Sequence, residues 1–183
     1  MTQKYGTVMA DCPWPGQSGD RHYTTMRIDS IKKMRLAIDQ HVADDAHLWL
    51  WVTNATIPAG HEVLQAWGFT YRSMLTWVKP RLAYGPYLRN MTEHVLLGTR
   101  GKDVPARFHG QGSWLFAPLQ DHSHKPEEVH AIVERMSPGP YLELFARRPH
   151  AGWSVWGLEV ASDVELIGYP VPNSPSTRKV SDD

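Results

Sequence analysis

One cysteine stands among the 183 residues, Cys12. An internal disulfide is therefore excluded, a thiolate-rich zinc site is not expected, and the chain suits a reducing, cytoplasmic compartment. No apolar run reaches the roughly 18 residues of a membrane span, and the first residues lack the apolar stretch of a secretory leader. A membrane partner is therefore not expected. Neither sign of charge is in excess, with 19 Lys and Arg against 19 Asp and Glu. Global charge thus does not announce a nucleic-acid partner, and only a local basic surface can serve one. The glycine-rich nucleotide loop that often follows a first strand is also missing.

Tryptophan is abundant, eight residues in all. That supply fills a core and leaves aromatic faces over. Ten histidines raise the question of a metal, and His122, His124 and His130 lie close together. No second cysteine joins them, so solvated or capping roles account for them better and no metal is expected.

The length suits one domain with a real core. The pattern predicts a single domain over residues 1–161 and a flexible Pro- and Ser-rich tail over 162–183. Residues 5–11 form an apolar strand, and 15–25 a polar, Gly-containing loop. A helical pattern follows from Ile28 to Ile38, with Thr25 or Asp29 as its cap. Asp44 and Asp45 break the chain before the apolar run Leu48–Thr53, which suits a strand covered on both faces. Pro58 to Gly68 is a punctuated helix, and Tyr71–Val78 a strand ended by Lys79-Pro80. His94–Leu97, Trp114–Phe116, Tyr141–Phe145 and Trp153–Trp156 are further strands. A helix from Pro126 to about Met136, capped by Ser123, precedes the third of these. Strands alternating with helices predict an α/β sheet with right-handed crossovers.

Asp11, Thr53-Asn54, Lys79 and Arg147 each follow directly on a predicted strand. If those strands are parallel and neighbouring, four polar positions meet on the rim where open α/β sheets bind ligands.

The most specific stretch is Asp11-Cys12-Pro13-Trp14. A carboxylate and a backbone carbonyl, stiffened by proline, can accept both N–H bonds of an aromatic amino group, with Trp14 as a stacking face. Such a tetrapeptide is equally an Asp in a turn beside a buried Trp, and alone it does not decide between the two.

The motif resembles the Asp-Pro-Pro-Trp signature of amino-group methyltransferases that use S-adenosylmethionine. Further stretches follow in order: Trp49-Leu50-Trp51-Val52-Thr53-Asn54, Ala66-Trp67-Gly68-Phe69, Leu75 to Pro80, Glu93 to Gly101, His122 to Glu128, Glu143 to Arg147, Gly152-Trp153 and Trp156-Gly157. Together, over about residues 5–160, they are similar to the MT-A (70-kDa subunit) family of N6-adenine methyltransferases. That family includes messenger-RNA writers and bacterial and phage DNA enzymes.

The resemblance implies a Rossmann-like doubly wound methyltransferase sheet with helices on both faces, and S-adenosyl-L-methionine as cofactor. It makes Asp11, Cys12, Pro13 and Trp14 the catalytic motif. Asp11, Cys12, Lys125 and Arg147 would face the cofactor, with His150 and Glu159 close by. Trp14, Asn54, Lys79, Tyr84, Arg89 and Glu93 would face the target. The expected partner is nucleic acid, DNA before RNA, presenting a single-stranded or flipped adenine. A homodimer, or a heterodimer with a related subunit, is compatible with it.

Two departures matter. Cys12 replaces the first proline, and Leu158 stands where the family carries an asparagine for the ribose. They favour one alternative, a catalytically silent subunit that binds nucleic acid or an active partner, and the tetrapeptide alone permits another, an amino methyltransferase acting on cytosine N4. Between Lys79 and Arg107, six cations stand against Glu93 and Asp103, with Tyr84, Tyr87 and Phe108 interleaved. That composition suits a rim for unpaired bases, or two solvated loops.

Overall fold

The computed structural model describes residues 3–16, 25–83, 85, 87–102, 104–120 and 124–169. Seven strands and four helices follow one another: β1 (Tyr5–Ala10), α1 (Ile28–Lys33), α2 (Arg35–Asp39), β2 (Val42–Thr53), α3 (Ile57–Ala66), β3 (Thr70–Val78), β4 (Thr92–Arg100), β5 (Trp114–Phe116), α4 (Glu128–Met136), β6 (Tyr141–Leu144) and β7 (Trp153–Trp156). The strands form one sheet in the order β5-β3-β4-β2-β1-β6-β7.

Side chains alternate across the strands, so each face collects its own core. Val8 and Ala10 of β1, Leu48 and Leu50 of β2, and Leu96 of β4 pack against Ile31, Ile38, Val63 and Leu64 of α1–α3. Met9, Trp49, Trp51, Trp77 and Val95 pack on the other face against Val129, Ile132 and Val133 of α4. The fold is thus a Rossmann-like doubly wound sheet with helices on both faces. All six residues of β1 are buried, as a central strand covered twice requires. Among the described residues no helix is long and apolar enough to cross a membrane.

The sheet is mixed, which corrects the all-parallel condition. β1 runs parallel to β2 and β6, β6 to β7, and β3 to β5. β4 is antiparallel to both β2 and β3 and lies between them. Reversing that one strand keeps β3 parallel to β2, so the ends of β1, β2, β3 and β6 still share an edge. It also brings the start of β4, with Glu93, to that edge.

Other boundaries shift for local reasons. β2 starts at Val42, because Asp44 and Asp45 do not break it. Asp45 Oδ1 accepts the Lys102 N–H at 2.8 Å, and Arg100 Nε donates to the Ala43 carbonyl at 3.0 Å. The first helix divides at Met34, and neither Thr25 nor Asp29 caps it: its N-cap is Arg27, with no side-chain bond. The Ser123 cap lies outside the described residues. Residues 162–169 depart from the flexible tail. Leu166 is 2% exposed within the core, Glu165 offers its carbonyl to His41 at 2.9 Å, and Asp163 Oδ2 accepts the Val155 N–H at 2.9 Å. Residues 170–183 lie outside the description.

Candidate active site at the carboxyl edge of the sheet

From β1 the chain works outward through β2 and β4-β3 to β5, then returns by α4 to place β6 on the opposite side of β1. The reversal falls between β1 and β6, and such a switch point opens a crevice at the carboxyl ends of the strands. A cleft does lie there, lined among others by Asp11, Lys125, His130, Glu143, Phe145 and Arg147.

Its inner wall is a chain of alternating charges. Lys125 Nζ sits 3.2 Å from Asp11 Oδ2 and 3.0 Å from Glu93 Oε2, and Lys79 Nζ donates to Glu93 Oε1 at 2.9 Å. Three parts of the fold deliver these groups: the end of β1, the segment before α4, and the β3–β4 pair. Two tryptophans support the cations. Lys125 Nζ stands 5.2 Å over the Trp51 ring and Lys79 Nζ 5.4 Å over Trp77, and the two rings meet edge to face at 6.3 Å.

The electrostatics follow from burial against pairing. Burial pushes the Asp11 carboxyl above its ordinary value; Lys125 pulls it back, Glu93 adds to the rise, and Arg147 opposes it. Glu93 goes the other way: burial would raise it, but Lys125 and Lys79 outweigh that and hold it below the usual range. Burial would lower Lys125, yet its two carboxylates keep it firmly protonated. One carboxylate is thus clamped as an anion, while the other is poised to bind a proton or an N–H donor.

The tetrapeptide is built from the core outward. Cys12 is buried, and burial, with Asp11 next to it, drives its thiol well up, so it is an inert packing group here. Its carbonyl accepts the Trp14 N–H at 2.8 Å, leaving one lone pair. Trp14 corrects the expectation of a stacking face. The ring is 3% exposed, and its Nε1–H donates to the Trp51 carbonyl at 3.0 Å. It anchors the loop to β2, because an indole that reaches the core finds both apolar cover and a buried acceptor there.

The outer wall carries Arg147, 4.0 Å from Glu159 Oε1, and His150, whose Nε2 lies 3.7 Å from Glu134 Oε1. Seven residues that are not among the expected site residues also line the cleft, among them Glu143, Phe145 and the two histidines His124 and His130, for which solvated or capping roles are expected. His130 stacks on His150 with ring centres 4.0 Å apart, and its Nε2 meets Glu143 Oε2 at 2.9 Å. With that nitrogen donating to the carboxylate, Nδ1 is left as an acceptor without a partner. Phe145 has φ 63°, a conformation that costs a side-chain-bearing residue about 1 kcal/mol or more. The turn is held because Ala146 N–H donates to the Trp156 carbonyl at 2.9 Å, and Gly157 lies so close that a Cβ would stand 1.8 Å from the Ala146 oxygen. A strand followed by Phe-Ala-Arg and a later Trp-Gly was the signal for that clamp.

Of the residues expected to face a target, Asn54 is exposed. It donates to the Thr92 carbonyl at 3.2 Å, and its Oδ1 lies 3.0 Å from His94 Nε2. Burial lowers His94, so it serves the network as a neutral ring. Arg89 is also exposed and donates to the Ala83 carbonyl at 2.7 Å. Tyr84 lies outside the described residues. Among the described residues, no group of three or more His, Cys, Asp or Glu is disposed to hold a metal ion.

Comparison with known proteins adds the following. The MT-A70 family model matches residues 5–159. The N(6)-adenosine-methyltransferase catalytic subunit METTL3 of Homo sapiens is 34% identical over 163 residues, covering 80% of this chain and 26% of that protein. The N(6)-adenosine-methyltransferase MT-A70-like protein of Drosophila melanogaster is 33% identical over 184 residues, covering 90% of this chain and 29% of its own. The type II methyltransferase M.MunI of a Mycoplasma species is 30% identical over 141 residues, 75% of this chain and 60% of that one. The chain therefore spans about a quarter of the length of the METTL3 proteins it matches.

Proposed function

This chain belongs to the MT-A70 family, and from that membership and the charge chain at Asp11 we propose that it transfers a methyl group from S-adenosyl-L-methionine to N6 of adenine in nucleic acid. The single observation that carries the reading is the Asp11–Lys125–Glu93–Lys79 alternation at the switch point, next to a cleft with its own cation, carboxylates and unpartnered His130 Nδ1.

The residues of the cleft fit the cofactor. Its carboxylate suits Arg147, its ribose hydroxyls suit Glu159 and Glu143, and Phe145 offers an apolar wall. Glu159 also supplies the polar group that Leu158 cannot. When bound, the cofactor supplies an electrophilic methyl on a sulfonium. Asp11 accepts one N–H of the adenine amino group and the remaining lone pair of the Cys12 carbonyl accepts the other, which localises the nitrogen lone pair for attack. With that methyl group supplied, Asp11 or water would take the amino proton that N6 gives up on methylation. Lys125 holds the Asp11 carboxylate in place, and Glu93 holds Lys125. Trp14 keeps the loop seated on β2.

DNA is favoured over RNA, on the resemblance to the bacterial and phage DNA enzymes of the family. The adenine must arrive unpaired, because its N6 is otherwise bonded and stacked.

The test is to incubate the chain with labelled cofactor and matched DNA and RNA strands, then digest and identify the methylated nucleoside by mass spectrometry. N6-methyladenine is expected, with more from DNA. Asp11→Ala should lower turnover by about two to three orders of magnitude or more while cofactor affinity persists. N4-methylcytosine, an inert parent chain or an active Asp11→Ala variant would each overturn the proposal.

A further inference from the structure

β5 is an edge strand of only three residues, and its side chains divide sharply. Leu115 pairs beside Trp77 and packs into the core under α4. Trp114 and Phe116 therefore project from the opposite face, and each is 63% exposed. Large aromatics at that exposure on a sheet are uncommon, and two of them two residues apart form a patch. The two lie about 6.6 Å apart along the strand, comparable to neighbouring bases in a stretched single strand.

Among the described residues, no helix covers Trp114 or Phe116. Thr76 and Val78 flank them on β3 and are only partly buried. Next comes a polar row on the same face: Thr76 Oγ1 lies 3.0 Å from His94 Nδ1, His94 Nε2 lies 3.0 Å from Asn54 Oδ1, and Asn54 donates to Thr92. That row ends at the carboxyl edge beside Glu93, whose side chain points to the other face with Trp77. The loop leaving β3 adds exposed Arg81 and Arg89, with Tyr87 almost fully exposed.

We propose that Trp114 and Phe116 form a stacking platform for two unpaired bases of a single nucleic-acid strand whose target adenine sits at Asp11. The proposal deepens the functional reading above and rests on it for the position of the adenine. Planar faces, a hydrogen-bonding row beside them and exposed guanidinium groups for phosphates are what a single strand needs. A protein partner fits less well. A three-residue edge offers too little ladder for a paired strand, and the polar row would have to be desolvated in a dry interface. Four strand spacings separate β5 from β1, about 19 Å, and the platform stands on the face opposite the charge chain, so a strand would cross the carboxyl edge of the sheet and the platform would grip bases flanking the target and not the target itself.

The test compares binding of two labelled 12-nucleotide DNA strands of equal length, one normal and one with abasic sites outside a central adenine, by fluorescence anisotropy. The parent should prefer the normal strand by tenfold or more, since each stacked base adds about a factor of ten. Trp114→Ala with Phe116→Ala should abolish that preference and leave the abasic affinity unchanged, while Trp114→Phe should keep most of it. Far-ultraviolet dichroism should be the same for all three. The proposal fails if the double variant keeps the preference. It fails equally if the parent sediments as a dimer that the double variant dissolves, which would make the patch a contact between copies. A parent that shows the base preference but methylates nothing would sink the functional reading and leave the platform standing.

Discussion

The two flanks of the sheet are unlike. On the β6–β7 side the backbone is clamped: Phe145 is held at positive φ, Gly157 touches Ala146 with no room for a methyl group, and Leu166 is plugged into the core from beyond β7. On the β3–β5 side a three-residue strand ends the sheet, long loops flank it, and Trp114, Phe116, Tyr87 and Leu88 lie in the open. One flank is finished in itself, and the other presents surface that the described residues do not cover. The difference matches the two demands of the proposed reaction. A cofactor of constant shape rewards a rigid cleft, whereas a long strand of variable sequence rewards an open, adaptable face.

The contrast can be broken most directly with a methyl group. Gly157→Ala places a Cβ 1.8 Å from the Ala146 oxygen and should destabilise by about 3 kcal/mol in urea denaturation. Gly112→Ala, just before β5, meets nothing within 4 Å and should change stability by less than about 0.5 kcal/mol. Equal costs would mean that the flanks are alike. Leu166→Ala comes next. It should cost about 2–3 kcal/mol as a core truncation, against almost nothing for the exposed Leu88→Ala. A mobile segment after residue 161 would instead leave both thermal melts unmoved.

The smallest effect sharpens the boundary between the flanks, where Glu93 joins them. Its folded carboxyl lies below the ordinary 4.5, so the stability carried by its ionised form is present above that value and lost as pH falls through the lower one. Glu93→Gln should cost about 1 kcal/mol at pH 7, and the deficit should shrink as urea midpoints are followed down to pH 3. A deficit independent of pH would show that the lysines do not hold the carboxylate down.

Much of this was legible in the sequence because local pattern carries it. β5 and β7 fall where the apolar runs place them, and Asp11, Asn54, Lys79 and Arg147 do stand at one edge. The direction of β4 was not legible: a strand's periodicity is the same read either way, and the loop from Lys79 to Met91 is too long for a hairpin signature. Asp44 and Asp45 read as breakers because the groups that hold this stretch lie more than fifty residues on: Arg100 donates to the Ala43 carbonyl and the Lys102 N–H to Asp45. Trp14 was misjudged for a related reason. Nothing nearby in sequence tells an indole whether its acceptor is a ligand or the carbonyl of Trp51. The ion pair of Asp11 with Lys125 spans a still larger separation, and only the resemblance to a family hinted at it.

The seam between β1 and β6 has a consequence for the order of assembly. It joins Thr7 to Tyr141, whereas β3 and β4 meet across a single loop. Contacts so far apart along the chain close late, because the entropy of the intervening loop must be overcome first. The cleft lies on that seam. The open flank can take shape while the chain is still incomplete, but the pocket exists only after its two ends have met, so a bound cofactor would mark a molecule that has finished folding.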